Sequence, residues 1–169
     1  MGGKQTGSFP EQKTIAQLKR IAMNSSAFQY KITVQTITAM LIILFFYTAT
    51  SKLLDTGEFR RQLSNQSVPD WSVGILLWLI PLTEIIVSLL LIAGTSRTAG
   101  LYGSAMLMLI FTGYRGLVLL NVFDRVPCSC GGVLRSMSFQ FHFIFNAFFL
   151  VLSISAIILQ RKLDTAQSQ

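Results

Sequence analysis

Residues 71–94 read WSVGILLWLIPLTEIIVSLLLIAG, and Glu84 is the one ionisable side chain among them. The stretch is continuously apolar, without the alternation that a strand of a closed barrel needs. An α-helix crosses a ~30 Å hydrocarbon core with ~20 such residues. This stretch therefore reads as a transmembrane helix. Three more runs read the same way: about 34–50 (VQTITAMLIILFFYTAT), about 98–123 and about 138–160. The expected fold class is all-α, a polytopic membrane protein built as a four-transmembrane-helix bundle spanning 34–160.

Composition agrees. Of the 169 residues 51% are hydrophobic and 12% charged, with a mean hydropathy of +0.56. Soluble domains carry about 25% charged residues. These values exclude a Rossmann enzyme, an all-β binding module, a disordered hub and a large catalytic domain outside the membrane. The formal net charge is +7, yet the basic residues flank the apolar runs. They point to lipid headgroups and topology rather than to nucleic acid.

Residues 1–33 are expected to form a basic leader, too long and polar for a secretory signal. Pro10 and Glu11 open a helix there, with Ile15, Leu18 and Ile21 near one face and Lys13, Lys19 and Arg20 interleaved. That pattern suits an amphipathic segment on the bilayer surface. An N-in, C-in topology places eight basic residues inside (Lys4, Lys13, Lys19, Arg20, Lys31, Arg97, Arg161 and Lys162) and five outside (Lys52, Arg60, Arg61, Arg125 and Arg135). The excess inside favours a cytoplasmic leader and a cytoplasmic tail at 161–169. In the first outer loop, Phe59 and Leu63 are i,i+4 neighbours flanked by Arg60, Arg61 and Gln62, the pattern of a short interfacial helix.

The sharpest chemical feature is Val126-Pro127-Cys128-Ser129-Cys130-Gly131-Gly132, which holds both cysteines of the chain. The topology puts them outside, where disulfides form and persist. Residues two apart sit near the upper end of the ~4.4–6.8 Å disulfide Cα range. A bond across them is strained and therefore labile, as an exchanging disulfide should be. Pro127 stiffens the approach; Gly131 and Gly132 let the backbone turn and offer amides to a thiolate. Two alternatives stay open: a structural disulfide, although so short a loop removes little unfolded-state entropy, and a metal site with His142 as third ligand, for which no fourth ligand stands nearby.

Ionisable and polar residues within the spans form a second set. Glu84 lies mid-span, three residues after Pro81; Arg115 follows Tyr114 in the third span. His142 lies about one turn into the fourth, with Asn146 one turn deeper on the same face. Unpaired charges cost several kcal/mol in hydrocarbon, so such groups face the bundle interior and pair. A Glu84–Arg115 pair is the simplest arrangement. His142 is the candidate acid or base beside the thiols. Tyr47 and Lys52 stand ready to complete the cluster, unless Lys52 snorkels to the interface. Gly100, Gly103, Ser104, Gly113 and Gly116 give the third span small faces for close packing.

Tyr47 with Ser51-Lys52-Leu53, then Pro81-Leu82-Thr83-Glu84, then Pro127-Cys128-Ser129-Cys130-Gly131-Gly132 followed by His142 and Asn146, together resemble the MauE branch of the DoxX-like membrane proteins over about residues 34–160. The resemblance implies a four-helix bundle in the bacterial inner membrane. MauE is associated with making methylamine dehydrogenase, whose small subunit needs many periplasmic disulfides. DoxX relatives are linked to quinone-coupled oxidation of sulfur compounds. Thiol or sulfur redox at the outer face, a thioredoxin-fold partner and a quinone as a possible cofactor are what the resemblance implies.

Two functions are therefore expected. The first is a thiol–disulfide redox protein in which Cys128 and Cys130 exchange with a periplasmic thioredoxin-like or cysteine-containing partner. His142 and a Glu84–Arg115 pair would assist, and a quinone or partner would supply the other half-reaction. The alternative is a non-enzymatic subunit docking to other spans of a larger membrane assembly. A small transporter fits least, since four helices without repeats are poor material for alternating access.

Overall fold

The computed structural model describes residues 9–66, 68–120 and 139–167. Five helices account for nearly all of them: α1 (Phe9–Leu54), α2 (Thr56–Ser64), α3 (Asp70–Ile92), α4 (Arg97–Leu119) and α5 (Phe139–Gln167). Segments of α1, α3, α4 and α5 are long and apolar enough to cross a membrane: Phe28–Leu54, Asp70–Ile92, Gly94–Leu119 and Gln140–Thr165. The protein is an all-α, multi-pass membrane protein. Four apolar helices were expected, and four are found among the described residues, the first beginning before and ending after the expected 34–50. Residues 121–138, which hold Pro127, Cys128, Cys130, Gly131 and Gly132, lie outside the described residues.

α1 runs unbroken through the boundary expected near Val34, so leader and first span form one helix of 46 residues. Pro10 sits in its first turn, where an absent N–H costs nothing. Threonine hydroxyls along the span donate back to carbonyls one turn earlier: Thr33 to Gln29, Thr36 to Ile32, Thr38 to Val34 and Thr50 to Phe46. An apolar medium offers no other partner, so the hydroxyl closes on its own helix.

α2 starts at a cap, with the Asp55 carboxylate accepting from the Glu58 amide at 3.0 Å. Arg61 closes on Glu58 at 2.6 Å. That hydrogen bond first and the Glu58 charge second raise the Arg61 pKa above its ordinary value. Phe59 and Leu63, the i,i+4 pair expected to form a helix, are buried with Val73 against Leu76, Leu77 and Ile80 of α3. The apolar face of α2 is thus spent on α3, and Arg60 and Arg61 remain exposed.

Helices α1 and α3, α3 and α4, α4 and α5, and α5 and α1 pack against one another, closing a four-membered ring. The 3-10 turn Gly94–Ser96 joins α3 to α4 tightly. There a Cβ on Gly100 would stand 2.8 Å from the Leu91 backbone nitrogen, so only glycine lets the two backbones approach so closely. Further along, a Cβ on Gly103 would meet Val87 at 3.0 Å and one on Gly116 would meet Phe143 at 3.4 Å, whereas Gly113 has nothing within 4 Å. The Ser104 and Ser153 hydroxyls lie 3.4 Å apart between α4 and α5. These contacts fix the antiparallel register of α3, α4 and α5.

The core of the bundle is Ile37, Leu41 and Phe45 of α1, Val87 and Leu91 of α3, Leu101 and Met108 of α4, and Phe149 and Ala156 of α5. The opposite faces are equally apolar: Ile43, Phe46, Trp78, Leu82, Leu89 and Ile144 are exposed. A helix apolar on both faces belongs in lipid, where packing and polar contacts hold neighbours together.

Candidate functional site

The ring gathers polar side chains toward the end where α2 lies. Lys52, near the end of α1, turns inward, and its Nζ meets Glu84 Oε1 of α3 at 2.5 Å. The Glu84 side chain is 2% exposed and that of Lys52 19%. Phe59 of α2 lies under the same ammonium, 5.8 Å from ring centroid to Nζ. Thr48, one turn before Lys52, sits against the Glu84 carboxylate. Three helices thus converge on one buried ion pair.

Lys52 takes the place that the sequence offered to Arg115. The register gives the reason. Leu91 lies beside Gly100 and Val87 beside Gly103, so counting along the helices at ~1.5 Å per residue sets Arg115 roughly 13 Å nearer the α2 end than Glu84. Lys52, on a flexible stem, reaches the Glu84 carboxylate instead. The alternative, Lys52 snorkelling to the interface, is not what the structure adopts.

Arg115 is buried in the bundle and Tyr114 half-buried. Gly116 beside Phe143 puts Arg115 and His142 at one level. His142 is half-buried, stands edge-on to Phe145 at 6.5 Å, and lies within electrostatic reach of Arg115 and Lys52. Its Nδ1 is buried without a protein hydrogen-bond partner among the described residues. Asn146, buried one turn deeper, shares its face.

Tyr47 is placed apart from this cluster. It is 45% exposed, because five residues at ~100° each turn it about 140° away from Lys52 on the same helix. Its neighbour Thr48 holds the inward position. Reading the helical face of Lys52 one turn back would have found Thr48, and reading that of Glu84 one turn on would have found the buried Ser88. Thr112, level with Asn146, carries no comparable sequence signal. Among the described residues no group of three or more His, Cys, Asp and Glu side chains is gathered that could hold a metal ion.

The arrangement is a cationic cluster with one buried carboxylate, at the end of the bundle where α4 stops and α5 begins. The connection between those two helices contains Cys128 and Cys130. Their positions lie outside the described residues. What the described part offers near the helix ends that flank both cysteines is the Arg115 guanidinium and the His142 imidazole.

Comparison with curated proteins and with solved structures gave no match. The family described as methylamine utilisation protein MauE matches residues 30–159, which takes in the second and third spans, most of the first and fourth, and the Cys-Ser-Cys segment. The chain belongs to the MauE family of membrane proteins.

Proposed function

We propose that this protein is an inner-membrane thiol–disulfide redox protein that uses Cys128 and Cys130 on the periplasmic side. Its partner is a periplasmic thioredoxin-like or cysteine-containing protein. The observation that carries this reading is the placement of Arg115 and His142 near the helix ends that flank the Cys-Ser-Cys segment. Thiol–disulfide exchange runs through a thiolate, and neighbouring positive charge stabilises that anion.

In the exchange, a partner thiolate attacks one sulfur of the Cys128–Cys130 disulfide, the S–S bond breaks, and the other cysteine leaves as a thiolate. A second partner thiolate resolves the mixed disulfide, so the partner is oxidised and the pair becomes a dithiol. The partner gives up two thiol protons and Cys128 and Cys130 take up two. His142 is the group suited to hold a proton during the step. Re-oxidation passes two electrons and two protons to a second acceptor, a quinone or another disulfide. Membership of the MauE family fits an assembly step in methylamine utilisation, in which a cysteine-containing protein receives its disulfides.

Acid trapping and mass-tag alkylation in cells test the reading, with an impermeant reagent reporting sidedness. The expected result is a mixture of dithiol and disulfide at Cys128 and Cys130, reactive from outside. A pair that is always oxidised, with function surviving Cys128→Ser and Cys130→Ser together, would favour a non-enzymatic assembly subunit instead. Thiols reached only after permeabilisation would overturn the topology.

A further inference from the structure

Hydroxyls in these helices default to the carbonyl one turn back, as Thr33, Thr36, Thr38, Thr50 and Ser153 show. Ser88 and Thr112 break the pattern. Both hydroxyl oxygens are buried without a protein hydrogen-bond partner among the described residues, and so are Glu84 Oε2 and His142 Nδ1. Ser88 is 1% exposed and Glu84 2%. A buried polar atom left unsatisfied costs about 1–3 kcal/mol, and four in one bundle interior is a large deficit for a structure that could have closed two of them by rotating a hydroxyl.

The register shows that these atoms are not scattered. Ser88 lies one turn deeper than Glu84 on α3. Thr112 and Asn146 share a level nearer the α2 end, and His142 and Arg115 share the next. Lys52 meets Glu84 and lies within electrostatic reach of His142. From Ser88 to His142 the column covers on the order of 20 Å at the helical rise. One end is shut: Leu41, Leu91, Leu101 and Ala156 are all at most 1% exposed. The α2 end is the open one, where Lys52 and His142 keep partial exposure.

We propose that this column is a binding site for a file of water molecules, a blind pocket that opens at the α2 end and has the Glu84–Lys52 pair near its floor. Water suits the chemistry. Buried waters make about three hydrogen bonds each, and the file needs donors for Glu84 Oε2 and for or from His142 Nδ1, Ser88 Oγ and Thr112 Oγ1. The charged group on the Glu84 carboxylate is Lys52 from α1, while Arg115 of α4 and His142 of α5 stand at a level nearer the mouth. The pocket keeps a mid-membrane carboxylate in contact with water from one face of the membrane alone. This goes beyond the thiol reading and stands without it.

The test uses the full chain in lipid nanodiscs, with Cys128→Ser and Cys130→Ser as background, so its outcome is independent of any thiol–disulfide activity. Ser88→Cys, Thr112→Cys or Ala156→Cys is then added singly as a thiol reporter. After mixing with D2O, the infrared S–H stretch of each is followed as it converts to S–D. The column predicts Thr112→Cys at least as fast as Ser88→Cys, and both roughly tenfold or more faster than Ala156→Cys in the dry core. Ser88→Cys exchanging no faster than Ala156→Cys would overturn the pocket. Ser88→Cys outrunning Thr112→Cys would overturn its opening at the α2 end.

Discussion

Lys52 of α1 and Glu84 of α3 stand 32 residues apart in sequence and meet at 2.5 Å inside the bundle. The pair ties the end of the first span to the middle of the second. Removing one partner of a buried pair leaves the other charge without compensation, whereas replacing both with apolar groups of similar volume is often neutral or stabilising.

Glu84→Gln or Lys52→Met alone is therefore expected to cost about 3–5 kcal/mol, read as a lower thermal midpoint in detergent. The double variant Lys52→Met with Glu84→Leu should recover most of the loss. Additive losses in the double variant would show that the two side chains do not act as a pair.

Backbone proximity makes a second prediction. At Gly100 a side chain would collide with the backbone of Leu91, so Gly100→Val should force α3 and α4 apart and destabilise by about 1–3 kcal/mol. Gly113 faces open space, and Gly113→Ala should stay within about 0.5 kcal/mol of the parent. Similar midpoints for the two variants would contradict the close helix approach.

Helix α2 depends on its cap. Asp55→Ala removes the carboxylate that accepts from the Glu58 amide and should weaken the helix by about 1 kcal/mol. Amide hydrogen exchange across Thr56–Ser64 should then accelerate, with Asp55→Asn close to the parent. Unchanged protection in Asp55→Ala would mean that packing of Phe59 and Leu63 alone holds α2 in place.

His142 carries the prediction closest to the proposed chemistry. His142→Phe should lower the rate at which Cys128 and Cys130 react with a small alkylating reagent by about tenfold near neutral pH, equivalent to one pK unit in thiolate population. The pH–rate profile should also lose an inflection. A uniform change in rate with the profile intact would assign His142 to packing against Phe145.

The fold was legible because its signal is physical and local. Long apolar runs such as 71–94 have no alternative in water, and Phe59 with Leu63 marked α2 by spacing alone. The pairing at Glu84 was less legible. Sequence shows which ionisable groups must hide in the bundle, but the partner depends on axial register, and that is set by Gly100 against Leu91 and Gly116 against Phe143. The same register leaves Arg115 level with His142. Tyr47 and Thr48 show the finer limit: adjacent residues on one helix face opposite ways, and only the packing of α1 decides which one looks inward. Ser88 and Thr112 were invisible because a serine or threonine in a membrane helix ordinarily closes on its own backbone.

The most direct test of the central claim is to trap the exchange itself. In a Cys130→Ser variant, Cys128 has no neighbour to resolve a bond formed with a partner, so a mixed disulfide should accumulate after acid quenching. Non-reducing gels should show a heavier species that collapses on reduction, is absent from Cys128→Ser with Cys130→Ser, and yields a periplasmic cysteine-containing protein by mass spectrometry. A Cys128 thiol that stays free in Cys130→Ser, alongside undiminished function, would contradict thiol–disulfide exchange as the work of this protein.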